Sequence, residues 1–249
     1  MKRLFNIILA LLFASTLFAQ GDLLRKANEL YTKDQFKEAI DVYNQILMKN
    51  LESPEVYFNL GNAYYKTKQY PKAILNYERA QLLSPEDEDI AFNLQVANQN
   101  VVDSIEELPG IFIVRWWNAL VNSQTTDTWA LVSIISFLLF LTLAGLYFFA
   151  RSGYIRRTAF WTACFLLTFS MFSWSFAAQQ KNRLVNHTNA IVMQPTVTIK
   201  SSPSEKGTNL FVVHEGLKVK ITDKLGDWLE VRLADGKKGW LMTESIERI

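Results

Sequence analysis

The chain has 249 residues and a formal net charge of only +2, so no overall basic field points to nucleic acid as a partner. Its single cysteine, Cys164, excludes a disulfide within the chain. With only two histidines, His187 and His214, the sequence offers no zinc-ligand spacing and no Ser/His/Asp order. We therefore predict no catalytic residue, no metal site and no cofactor.

The first residues are typical of an export signal. Lys2 and Arg3 precede an apolar run from Leu4 to Leu17, which is short for a membrane span. We predict a signal peptide over residues 1–19, cleaved after Ala19, and a retained anchor helix is the alternative. In either case the segment that follows is exported.

Residues 20–108 contain an internal repeat that appears when the chain is laid on itself at an offset of 34 residues. The second copy carries aromatic and small residues at fixed spacing: Tyr57, Leu60, Gly61, Tyr64, Tyr70, Ala73, Tyr77, Ala80 and Pro85. This pattern resembles the tetratricopeptide repeat. The resemblance implies an all-α solenoid with repeats at 20–53 and 54–87 and a capping helix at 88–102.

An acidic run, Glu86 to Asp89, lies at the predicted start of the capping helix. It is either a binding patch or a set of carboxylates favoured by the positive end of the helix dipole. We prefer the second interpretation.

The first helix of each repeat is predicted to line a concave face that binds a partner protein. The candidate residues on this face are Asn28, Tyr31, Phe58, Asn62, Tyr65 and Phe92. The alternative is that some of them only pack against the next repeat. We expect Asn62 and Tyr65 to be surface groups, and Gly61 and Ala73 to serve helix packing. Asn93 stands where a carboxylate clamp would need a basic residue, so no capture of a C-terminal carboxylate is predicted.

Residues 109–128 form the approach to the first long apolar segment. They include an apolar stretch around Arg115, Trp116 and Trp117 that is too short to cross a bilayer. Adjacent tryptophans beside one arginine suit the lipid headgroup layer. We predict an interfacial helix here, and a helix packed on the repeats is the alternative.

Two uncharged segments, of 22 residues at 129–150 and 21 residues at 158–178, predict a two-helix transmembrane hairpin. The connecting loop at 151–157 holds three arginines, which marks its side of the membrane as cytoplasmic. Neither segment contains an ionisable residue of the kind that transport sites need, which argues against a transporter. Small residues that would let the helices approach closely are Ala159, Ala163, Ser173 and Ala177.

Short apolar strands alternate with turns in residues 190–249, beyond a polar linker at 179–189. The segments Gly226-Asp227-Trp228, Asp235-Gly236-Lys237 and Gly239-Trp240-Leu241 resemble the bacterial SH3-like domain, which implies a small all-β barrel. The resemblance implies binding of cell-wall peptides or other proteins, and the contact residues are expected among exposed aromatic residues near the turns. The candidates here are Trp228 and Trp240. Alternatively both are core residues, and for Trp240 we prefer this interpretation.

The order of these modules along the whole chain resembles the BatE family of the bacterial aerotolerance (Bat) operon. The resemblance implies a non-catalytic protein in the bacterial inner membrane, with both terminal domains in the periplasm. Its implied partners are other membrane or periplasmic proteins, among them Bat proteins with von Willebrand-type domains, together with membrane lipid. A cell-wall sensor whose SH3-like domain binds peptidoglycan is the alternative function.

Overall fold

The structure is a computed structural model that describes residues 21–103, 105 and 111–249. The predicted signal peptide at 1–19 lies outside the described residues. The chain divides into two compact units. The first contains the N-terminal helices and the C-terminal sheet, and the second contains the helices of residues 111–187.

The N-terminal helices repeat the same turn at the spacing that the sequence predicts. Asp34 (φ 59°) and Lys68 (φ 61°) both adopt the left-handed conformation and join a first helix to its partner. Ser53 caps the second repeat, because its hydroxyl accepts a hydrogen bond from the Val56 N–H at 3.2 Å and Pro54 occupies the first helical position. The helices are α1 at 21–32, α2 at Phe36–Leu47, α3 at Pro54–Lys66, α4 at Tyr70–Leu83 and α5 at Glu88–Asn98.

Small residues let the paired helices approach closely. Ala39 and Ala73 occupy equivalent positions in the two repeats and are fully buried. At Gly61 an added Cβ would lie 2.7 Å from two ring carbons of Tyr77, so only glycine fits there. The predicted packing role of Gly61 and Ala73 is confirmed, and the N-terminal region is a helical repeat as predicted.

The C-terminal domain is one antiparallel sheet with strand order β3-β2-β6-β5-β4-β1-β7. Alternate side chains face a shared core that includes Ile199, Leu229, Val231 and Leu241. The strands are β1 at Asn189–Val192, β2 at Thr196–Lys200, β3 at Asn209–His214, β4 at Lys218–Leu225, β5 at Trp228–Arg232, β6 at Lys238–Met242 and β7 at Ile246–Arg248. This confirms the predicted small all-β domain.

The second unit contains α6 at Phe112–Val121, α7 at Thr126–Phe149 and α8 at Gly153–Asn186. Within the described part of the chain, α7 and α8 are both long and apolar enough to cross a membrane. Helix α8 is longer than its apolar segment. It begins inside the predicted arginine loop and continues through most of the predicted polar linker.

Helices α7 and α8 pack side by side through small and hydroxyl-bearing residues. Ser133 donates to the Ser170 carbonyl at 3.0 Å, and Ser170 donates back to the Ser133 carbonyl at 2.9 Å. These reciprocal bonds satisfy two hydroxyls that are buried between the helices. The four small residues that the sequence singled out, Ala159, Ala163, Ser173 and Ala177, are all buried.

The end of α6 is fixed to the polar end of α8. The Gln180 side chain donates to the Val121 carbonyl at 2.7 Å, and the Trp129 ring nitrogen donates to the same carbonyl at 2.9 Å. Arg183 donates to the Asn118 side chain at 2.9 Å. These bonds explain why α8 remains helical beyond its apolar segment, since its polar end has partners on α6.

Candidate functional site

The six predicted residues of the concave face lie on the first helices of the repeats. Asn28 and Tyr31 are on α1, and α3 carries Phe58, Asn62 and Tyr65; all five are partly buried. The sixth, Phe92 on α5, has 63% of its surface exposed. The structure therefore places the candidates on equivalent helices but gives them unequal access to a ligand.

The two asparagines have matching bonds inside their own repeats. The Tyr43 hydroxyl donates to Asn28 Oδ1 at 2.6 Å, and the Tyr77 hydroxyl donates to Asn62 Oδ1 at 2.7 Å. Both tyrosines are 1% exposed. Burial raises the pKa of both hydroxyls, which keeps them protonated as donors. The expectation that Asn62 is a free surface group is wrong, because its carbonyl oxygen holds the second helix of the repeat.

The aromatic candidates on α1 and α3 also have repeat-related contacts. The Tyr31 ring packs edge-on against Phe36 at 5.2 Å between centroids, and Tyr65 packs in the same way against Tyr70 at 5.5 Å. Burial, with a smaller contribution from the charge of Asp34, raises the pKa of Tyr31. These rings stabilise the turn between paired helices and present only part of their surface.

A shallow hollow of about 400 Å³ lies between the starts of α3 and α5. Phe58 forms part of its apolar wall. The hollow is therefore the part of the predicted face that a ligand side chain could enter. Asp87, at the rim, accepts hydrogen bonds from the Asp89 and Ile90 N–H groups at 3.0 and 3.2 Å, which supports the helix-start interpretation of this carboxylate. The lining residues are Ser53, Pro54, Glu55, Phe58, Asp87 and Ile90.

The two tryptophans of the sheet domain lie outside its core. Along β5 and β6, Leu229 and Leu241 are buried, whereas Trp228 and Trp240 are partly exposed on the opposite face. The register pairs Trp228 with Met242, so the two tryptophans are diagonal neighbours, with Cα atoms about 7–8 Å apart. The preferred interpretation of Trp240 as a core residue is wrong, because its strand parity points it away from the core cluster.

No group of three or more His, Cys, Asp or Glu side chains that could hold a metal ion occurs in the described parts of the chain. Cys164 is partly buried within α8. His214, the histidine on β3, is bonded to Asp103 at 2.8 Å through Nδ1. The surfaces described above consist of aromatic rings, amides and carboxylates, which suit binding.

The tyrosine partners of the two asparagines were not recognised from the sequence. Asn28 and Asn62 recur at the repeat spacing, and so do Tyr43 and Tyr77. A donor and an acceptor that recur together on paired helices are the signal that would have predicted these bonds.

Comparison with known families agrees with this geometry. Residues 27–68 match the family model described as TPR repeat, and residues 54–87 match the model described as Tetratricopeptide repeat. Residues 195–247 match the model described as Bacterial SH3 domain. No curated protein matches the chain. The chain therefore contains tetratricopeptide repeats and a bacterial SH3 domain, two modules that typically bind other molecules and are not catalytic.

Proposed function

We propose that the chain is a membrane-anchored, non-catalytic scaffold that binds a partner protein through the first-helix face of its repeats. The observation that carries this proposal is the exposed Phe92 ring on α5, the helix that also contributes to the hollow that Phe58 lines. Burying a large aromatic side chain that is 63% exposed has a favourable free energy. A partner protein that covers the ring gains this free energy on binding.

The same proposal places α7 and α8 across the bacterial inner membrane, with their arginine-containing turn in the cytoplasm. The repeats and the sheet domain then both lie in the periplasm. Their membership of one compact unit supports this arrangement, because segments that precede and follow the hairpin must share a side in order to fold together.

Helix α6 is the proposed interfacial anchor of this scaffold. The Phe112, Ile113 and Trp116 side chains are 72%, 69% and 59% exposed, an apolar surface that water solvates poorly. The bonds from Gln180 and Arg183 hold α6 beside the polar end of α8, where a headgroup layer would lie.

Reporter fusions test the proposed topology. A reporter that is active only in the periplasm should be active when fused after Asp103 and after Ile249, because the export signal and the arginine turn agree on orientation. A fusion within the turn at Ser152 serves as the control and should be inactive. Activity of a cytoplasmic reporter after Asp103 or Ile249 would contradict the model.

We infer the partner of this face from the resemblance to the BatE family. We expect a Bat protein with a von Willebrand-type domain, encoded with the scaffold and present in the same membrane. The order of export signal, repeats, hairpin and SH3 domain supports this assignment.

Photo-cross-linking in native membranes tests the partner surface. A photoreactive residue at position 92 should give an adduct that mass spectrometry identifies as a von Willebrand-type protein, because Phe92 lies on the open face. The same residue at Met48, which is 82% exposed just beyond α2, is the matched control and should give no such adduct. An equal yield at both positions would show that the face is not the binding surface.

A cell-wall sensor is the alternative function, and the position of Trp228 and Trp240 favours it. Two aromatic rings on one outer face form a platform on which a sugar or a peptide can stack. In this case the detergent-solubilised full chain co-sediments with purified peptidoglycan, and Trp240→Ala reduces the bound fraction by about tenfold. Leu225→Ala, at a side chain 60% exposed on β4, is the control. A wild-type chain that stays in the supernatant excludes wall binding.

A further inference from the structure

We propose that the C-terminal sheet domain is the cap of the helical repeats, on the side where a further repeat would otherwise stack. Two complete helix pairs are present, but α5 is followed in the described residues of this unit by the sheet rather than by a partner helix. A short solenoid with an uncovered end is unstable, because each repeat buries its apolar face only against a neighbour.

A comparison of equivalent positions in the two repeats shows that the sheet takes the place of a further repeat. On α2, Asn44 donates to the Tyr64 hydroxyl of the next repeat at 3.3 Å. The equivalent residue on α4 is Glu78, which accepts from Lys218 of β4 at 2.6 Å. The sheet domain thus contacts the last complete repeat where the second repeat contacts the first.

The contact continues along α4 with an arginine that binds the edge of the sheet. Arg79 donates to the Glu247 carboxylate at 3.1 Å and to the Arg248 carbonyl at 2.7 Å, both on β7. The same guanidinium lies 5.9 Å from the centre of the Tyr57 ring on α3. A single side chain therefore joins both helices of the second repeat to the sheet.

The chain beyond α5 completes the interface. Asp103 accepts from the His214 backbone N–H at 2.5 Å and pairs with the His214 ring at 2.8 Å. Gly216 follows in the turn before β4, where an added Cβ would lie 2.9 Å from Val101. Ile105 packs against the sheet core. Polar and apolar contacts together cover the end of the solenoid.

This cap leaves the proposed binding face open. The sheet is contacted by α4 and, beyond α5, by Val101, Asp103 and Ile105, whereas the candidate partner residues lie on α1, α3 and α5. The proposal does not depend on the partner's identity. It assigns the SH3 domain a structural role that the stability of the repeats requires.

Hydrogen exchange on the full chain in nanodiscs tests the cap through Lys218. Its side chain is 45% exposed, so Lys218→Glu should leave the sheet folded while placing a second carboxylate against Glu78, which is 7% exposed. We expect amide exchange in α4 and α5 to accelerate by at least about tenfold, with β5 and β6 still protected. The charge-swapped double variant Glu78→Lys/Lys218→Glu should slow that exchange again.

Lys220→Glu is the matched control, since Lys220 is exposed on the same strand and has no ion pair within the described residues. Unchanged exchange of α4 and α5 in Lys218→Glu would overturn the proposal. If β5 and β6 also lose protection, the Lys218→Glu variant has unfolded the sheet itself. Asp103→Ser then tests the cap, because it changes no residue of the sheet. Faster exchange in α4 and α5 of that variant supports the cap, and wild-type exchange overturns it.

Discussion

Replacing Gly61 by leucine is expected to unfold the helical repeats. Even the first added carbon would lie 2.7 Å from two carbons of the Tyr77 ring and 3.3 Å from the Ala73 carbonyl oxygen. The ring cannot swing aside freely, because its hydroxyl is bonded to Asn62 and its side chain is 1% exposed. Overpacking of this kind costs roughly 1–3 kcal/mol or more, which is a large fraction of the stability of so short a solenoid.

Thermal unfolding of the full chain in detergent, followed by circular dichroism at a helical wavelength, measures this effect. Gly145→Leu is the matched control, because Gly145 also lies within a helix but an added Cβ meets nothing within 4 Å. We expect an early helical transition for Gly61→Leu and none for Gly145→Leu. A Gly61→Leu protein that melts with the wild type would show that α3 and α4 can separate without loss of stability.

The helical repeats were predictable because their signals are local and recur. The offset of 34 residues aligned the small residues, the aromatic rings and the helix starts, and the structure places them in equivalent positions. The offset does not show which side chain of one helix contacts which side chain of its partner helix. Asn28 and Asn62 were therefore assigned to a ligand, although the structure gives each a buried tyrosine as its partner.

In the sheet domain, too, local sequence patterns predicted the elements but not their long-range contacts. Short apolar stretches that alternate with turns predicted the strands that correspond to β2 to β6. Strand β1 has four residues and β7 has three, and they pair with each other across most of the domain's sequence. No local pattern specifies that pairing. The face of Trp240 was misjudged for a related reason, since side-chain parity on a strand depends on register and not on hydrophobicity.

Helix α8 exceeds its predicted length because tertiary bonds stabilise its polar end. From composition alone, the second span was predicted to end at the last apolar residue of the segment 158–178. Gln180 and Arg183 lie beyond that point, and both bind α6, so their helical conformation depends on a partner segment about sixty residues earlier in the sequence. Helix α6 and the polar end of α8 are one structural element that the sequence presents as two.

Asn62→Ala is expected to destabilise the repeats by about 1–3 kcal/mol, because it leaves the buried Tyr77 hydroxyl without its acceptor at 2.7 Å. Asn98→Ala, at an exposed position on α5, is the control and should change stability by less than about 0.5 kcal/mol. The measurement is the denaturant midpoint of the helical transition of the full chain.

A second substitution separates the hydrogen bond from the rest of the asparagine side chain. Tyr77→Phe in the Asn62→Ala background removes the stranded hydroxyl, so the double variant should recover most of the loss, since replacing both partners by apolar groups is close to neutral. The equivalent pair, Asn28 and Tyr43 at 2.6 Å, should recover less of the loss, because Asn28 Oδ1 also accepts from the Asn59 side chain at 3.2 Å and that donor would remain without its acceptor. Asn62→Ala with wild-type stability and reduced partner capture would restore Asn62 to the binding face. A loss of stability that the double variant does not recover would instead mean that the asparagine stabilises the repeat through packing rather than through this bond.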